Sequence, residues 1–178
     1  AEGVTGWGES VAEGTPFYSP ETVPTAWHIL TDFLMPSILG KDLHNVGEAI
    51  EGYEKVRGHR MAKAGLEAAL WDAFAKTKGI SLSQMMGGTR KKIDVGVSIG
   101  IQESVPALLK KVESYLAEGY KRIKIKIAPG LDLQFVEALR KAYPSLLLQV
   151  DANSAYTLSD IDLFKEMDHY GLSLVEQP

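Results

Sequence analysis

The sequence predicts an α/β protein: a partial (β/α) TIM-type barrel of about four β/α units, preceded by part of an α+β capping domain. Three observations carry this. After Gly87-Gly88, strand-like and helix-like periods alternate. Charged residues recur at an interval of 25 residues, at Lys126, Asp151 and Glu176, each inside an otherwise apolar run. No G-x-G-x-x-G turn follows any strand, which disfavours the dinucleotide-binding form of an open sheet. The expected boundary separates residues 1–90 from residues 91–178.

In the first half, VTGWGESVA reads as a strand remnant. A loop, TPFYSPET, then leads to a helix that enters between Ser19 and Thr22 and ends before Pro36. Asn45, with Glu48 three residues on, forms a capping box for a second helix, which stops near Gly58. A third helix spans about Arg60 to Thr77. Its small and apolar residues on most faces imply close packing on several neighbours, with Trp71 and Phe74 in the core.

In the second half, IDVGVSIGI alternates, with Ile93, Val95, Val97, Ile99 and Ile101 on one side. A helix follows from Ser104 to about Ala117 and ends at Gly119, where a left-handed cap costs glycine little. RIKIKI is the next strand and LDLQFVEALRKAY its helix; LLLQVDAN is a strand, TLSDIDLFKEMDHY a helix, and LSLVEQP a fourth strand. Such alternation implies parallel strands with right-handed crossovers.

Composition narrows the class. The chain has 178 residues, 45% apolar and 24% charged, as in ordinary soluble globular proteins. A net charge of −4 argues against a nucleic-acid partner, and no apolar run is long enough to suggest a membrane span. Cysteine is absent, which excludes disulfides, thiolate nucleophiles and zinc-thiolate sites. A reduced cytoplasm is the default location. A full barrel takes about 250 residues, so the chain is expected to be truncated at both ends.

Equal spacing puts Lys126, Asp151 and Glu176 at one phase of successive units, where a parallel barrel gathers its catalytic side chains. In RIKIKI the isoleucines pack on helices, so Lys124 and Lys126 point inward, roughly 6.6 Å apart along the strand. Two crowded ammonium groups should push one lysine toward service as a base. Asp151 and Glu176 balance that charge and suit a hard cation with oxygen ligands, preferably magnesium, with manganese as an alternative. A third ligand is expected near position 201. Together these groups fit removal of a proton next to a carboxylate, so the expected partner is a small-molecule carboxylate. The competing expectation is a non-catalytic β/α domain whose inward charges form a buried ion-pair network.

KIK at Lys124 to Lys126, DAN at Asp151 to Asn153 and EQP at Glu176 to Pro178 resemble the enolase superfamily, muconate-lactonizing subgroup. GWGE at Gly6 to Glu9, GGTRKKIDVGVSIGI and GYKRIKIKIAPG are most similar to the o-succinylbenzoate synthase and N-acylamino acid racemase family. The resemblance implies that Lys126 exchanges the α-proton and Lys124 tunes it. It also implies that Asp151 and Glu176 ligate magnesium, and that Asn153 lies beside them. Ser98 resembles a substrate-lining position, or is a small residue filling the barrel. Phe17, Tyr18 and Ser19 fall in what looks like a loop covering the pocket, or in a surface loop with buried aromatics. The implied chemistry forms an enediolate, which leads either to dehydration toward o-succinylbenzoate for menaquinone or to racemisation. Dipeptide epimerases and muconate-type cycloisomerases share the same motifs. A second lysine is expected near 226, homo-oligomers are expected at full length, and the isolated chain should not catalyse.

Overall fold

The computed structural model describes residues 3–178. They divide into two compact units, one ending at Arg90 and the other spanning Lys91–Pro178.

The first unit is helical. Helix α1 (Val23–Ile29) is capped by Thr22, whose hydroxyl accepts the Thr25 amide while the Thr25 hydroxyl accepts the Thr22 amide. The helix does not end before Pro36. It runs through a π-helical turn, Leu30–Leu34, into α2 (Met35–Ile38). The Met35 amide reaches back to the Leu30 carbonyl, and this looser turn lets Pro36, which has no amide to donate, sit in the first turn of the next segment.

Helix α3 (Val46–Tyr53) starts at Asn45, whose side chain accepts the Glu48 amide. Glu48 takes the amide of His44 rather than that of Asn45, so the reciprocal half of the box is displaced by one residue. The helix stops five residues short of Gly58. Helix α4 (Arg60–Thr77) has the expected limits. His59 supplies no side-chain cap there; the Glu21 carboxylate receives the Met61 and Ala62 amides at 3.0 and 3.1 Å instead.

Residues 4–12 are extended but form no strand. They lie along α4, with the Trp7 amide on Asp72 at 2.8 Å and the Lys76 ammonium on the Thr5 carbonyl at 2.9 Å. A Cβ on Gly8 would stand 2.0 Å from the Gly65 carbonyl oxygen, which is why this helix face is made of small residues. Ala26, Leu34, Ala49, Tyr53 and Ala62 are buried in the core of this unit. Trp71 and Phe74 are only half-buried and outside that core, because the small residues of α4 face the extended segment rather than surrounding the two rings. A short helix, α5 (Leu82–Met85), follows.

The second unit is a four-stranded parallel sheet in the order β1-β2-β3-β4, made of Gly96–Ile99, Arg122–Lys126, Leu147–Asp151 and Leu174–Glu176. Helices α6 (Val105–Ala117), α7 (Leu133–Ala142) and α8 (Ile161–Asp168) connect them; a 3-10 turn over Leu158–Asp160 leads into α8. Sequential order without a reversal is that of a barrel arc, not of a doubly wound sheet with a switch point.

Right-handed crossovers that always step to the same side put the helices on one face. There Ile123, Ile125, Ile127, Leu148 and Val150 pack with Leu108, Val112, Phe135, Leu139 and Met167. Strand β1 is shorter than its alternating pattern: β2 pairs only with Gly96–Ile99, and Ile93, Val95 and Ile101 stay exposed for want of a neighbour. Gly119 (φ +98) closes α6 in the left-handed region.

Candidate functional site

Parallel pairing turns the 25-residue interval into geometry. Lys126 is the register partner of Asp151, and Asp151 of Glu176, so the three lie side by side at the ends of adjacent strands. Alternation does the rest. Ile123, Ile125 and Ile127 are buried against the helices, leaving Lys124 and Lys126 on the opposite face.

The four groups converge. The Lys124 ammonium lies 2.8 Å from Glu176 Oε2 and 3.3 Å from Asp151 Oδ2, and that of Lys126 lies 3.5 Å from the same Asp151 oxygen. Asp151 is 3% exposed, the one buried charged side chain among the described residues. Its other oxygen accepts the Asn153 amide at 3.0 Å. Asn153 Oδ1 accepts from Lys126, and Asn153 Nδ2 donates to Gln177 Oε1 at 3.4 Å.

Burial alone would push the Asp151 carboxyl up. The Asn153 amide and the two ammonium groups outweigh it and hold the carboxyl below its usual range. For Lys124 the direction is upward: the Glu176 hydrogen bond, helped by Asp151, outweighs burial. Lys124 is therefore held as an ammonium. Lys126 has one carboxylate at 3.5 Å, and its side chain is about a third exposed.

Ser98 is the register partner of Lys124 and lines a hollow on the same side with Arg122, Lys124, Gln149 and Glu176. It is exposed on that face. Phe17 and Tyr18 belong to the first unit and are 92% and 67% exposed, not buried. Ser19 is half-buried there, its hydroxyl donating to the Glu21 carbonyl.

Gln177 escaped the sequence reading. Regular alternation would send it to the helix side, but its φ of 43° turns the chain at the strand end and brings its side chain to Asn153. Its adjacency to Glu176 was the available signal.

Two carboxylates, both already facing cationic nitrogen, fit a hard dication as two of its ligands. Among the described residues no group of three or more acidic, histidine or cysteine side chains gathers to complete such a set. Nor is any described helix long and apolar enough to cross a membrane.

Comparison with known proteins places the chain by family and fold. Residues 1–87 match the mandelate racemase / muconate lactonizing enzyme N-terminal domain, and residues 107–178 match the enolase C-terminal domain-like model. The chain is 50% identical to an o-succinylbenzoate synthase of Geobacillus kaustophilus, covering 99% of this chain and 47% of that protein. It is 46% identical to an N-succinylamino acid racemase of Thermus thermophilus, covering 99% and 48%. A solved enolase-superfamily structure from Listeria innocua superposes with a TM-score of 0.96 at 46% identity, covering 99% of this chain and 48% of that one. The chain thus spans about half the length of the curated relatives it matches. With both domain models matched in order along it, the chain belongs to the mandelate racemase/muconate-lactonizing enzyme family of the enolase superfamily.

Proposed function

We propose that this chain contributes to an enzyme that removes a proton next to a carboxylate, acting as an o-succinylbenzoate synthase, an N-acylamino acid racemase, or both. The carrying observation is the convergence of Lys124, Lys126, Asp151 and Glu176 at the ends of three neighbouring strands. The names borne by relatives at 46–50% identity support the choice of substrate class. In this reading Asp151 and Glu176 hold a magnesium or manganese ion. When bound, the ion supplies positive charge beside the oxygens that become more negative as the proton leaves.

Lys126, with one carboxylate at 3.5 Å where Lys124 has two at shorter range, takes and returns the proton. Lys124 stays charged, spans the two carboxylates and helps hold Asp151 ionised. Asn153 orients Lys126, Ser98 lines the substrate hollow, and Phe17, Tyr18 and Ser19 belong to a covering loop. The complete protein is then a cytoplasmic homo-oligomer serving menaquinone synthesis. Dipeptide epimerisation and muconate-type cycloisomerisation use the same groups and are the nearest alternatives.

The experiment is proton exchange in deuterated water by the complete protein. Lys126→Ala should lower exchange about 10³-fold, the scale of a lost general base, and undiminished exchange would remove Lys126 from the chemistry. The observed ion pairs themselves favour one rival, a purely structural network. Calorimetry separates the two: magnesium uptake that disappears in Asp151→Asn supports the catalytic reading, and absent uptake supports the network.

A further inference from the structure

We propose that Gln177 is a positioning residue for Lys126, acting through Asn153; this rests on the function proposed above. A carboxamide has one acceptor end and one donor end, and only the oxygen can face an ammonium. Asn153 turns its oxygen to Lys126 and gives its Nδ2 to Gln177 Oε1 at 3.4 Å. Flipping the amide would set its NH2 against the ammonium and its oxygen against the Gln177 oxygen, unfavourable at both ends. Gln177 thereby tethers the donor end of the amide whose acceptor end serves the lysine.

The backbone gives a second, independent indication. Asn153, Ser154 and Gln177 have φ of 44°, 60° and 43°, a region that asparagine tolerates and glutamine seldom adopts. The two corners are tied together: the Ser154 amide donates to the Gln177 carbonyl at 2.7 Å, and the Ala152 amide to the Glu176 carbonyl at 3.0 Å. Glycine would satisfy this conformation without strain but would offer no side-chain acceptor. A strained glutamine at the rim, with its side chain on Asn153, points to work done by that side chain.

The test uses the complete protein and Gln177→Gly, which relieves the backbone and removes only the amide side chain. Proton exchange at saturating substrate should fall about fivefold, the size of one neutral hydrogen bond, with KM and magnesium affinity within twofold of the parent. Gln177→Glu, which keeps an acceptor oxygen at the same reach, should recover most of the rate. In an Asn153→Ala background Gln177→Gly should cost nothing more, as expected for residues acting through one contact. In magnesium-free protein the Asn153 side-chain amide resonances should shift in Gln177→Gly.

Unchanged exchange in Gln177→Gly, or the same fivefold loss in the Asn153→Ala background, overturns the role. So does an unmoved Asn153 amide. A parent protein that exchanges no α-proton at all defeats the proposed function itself, and that failure is visible before any variant is made.

Discussion

Replacing Lys124 by methionine isolates the energetics of the charged cluster. The change keeps most of the side chain's length and apolar stem but removes the ammonium that lies 2.8 Å from Glu176 and 3.3 Å from Asp151. At an effective dielectric near 20 the Asp151 contact alone represents about 5 kcal/mol of attraction. Much of that is offset by taking the lysine partly out of water, and Asp151 retains Lys126 at 3.5 Å and the Asn153 amide at 3.0 Å.

Breaking a fully buried pair costs about 3–5 kcal/mol. Here Glu176 is 38% exposed and keeps its own hydration, so about 2 kcal/mol is expected, or a fall in Tm of roughly 4–8 °C for a chain of this size. Melting in chelator across pH measures it. Asp151 is held below its unfolded value, so its contribution is present above about pH 4 and is lost as pH falls through the lower folded value. Lys124 is raised, so its contribution is full below about pH 10.5 and is lost as pH rises through the higher folded value. The gap between parent and variant should therefore be widest from about pH 5 to 10 and close at both extremes. A variant as stable as the parent at pH 7, or a gap that stays the same at every pH down to full acid unfolding, would show that Lys124 contributes packing and no ion pairing.

Two further outcomes follow from the packing. Gly8→Ala forces a Cβ to 2.0 Å from the Gly65 carbonyl, so the extended segment must lift from α4; a loss of about 3 kcal/mol by urea titration is expected, and a neutral result would show that the segment is not held there. The Tyr156 hydroxyl is pushed well above the ordinary phenol range by burial and by its 3.0 Å hydrogen bond to Asp132. Burial raises the Tyr53 phenol as well, so ultraviolet titration should show a late-ionising fraction that shrinks, without vanishing, in Tyr156→Phe.

The parts of the molecule that obey a period could be read from the sequence. Ile123, Ile125 and Ile127 follow the alternation of a strand backed by helices, and the equal intervals between Lys126, Asp151 and Glu176 become lateral register. Arg60–Thr77 carries helix-forming residues throughout and has the expected limits. What stayed hidden breaks a period or depends on a remote partner. The π-turn at Leu30–Leu34 carries the helix past Pro36, Glu21 caps a helix forty residues away, and the left-handed corners at Asn153 and Gln177 redirect side chains that alternation would misplace. Ile93, Val95 and Ile101 alternate as a strand would, yet pairing requires a neighbour, and β2 reaches only Gly96–Ile99. The ionisation of Lys124 depends on partners that spacing along β2 does not show: the anions beside it come from β3 and β4.

Charge balance at the cluster links this ion-pair network to the proposed chemistry. Two ammonium groups and two carboxylates sum to zero, which lets Asp151 be buried without an uncompensated charge. A dication held by the same carboxylates would bring the sum to +2 and would compete with Lys124 for Glu176 and Asp151. Such a site repels free cations beyond the first and attracts an anionic carboxylate, so metal and substrate should bind with positive coupling. A structural network has no reason to show that coupling, because its charges are already satisfied.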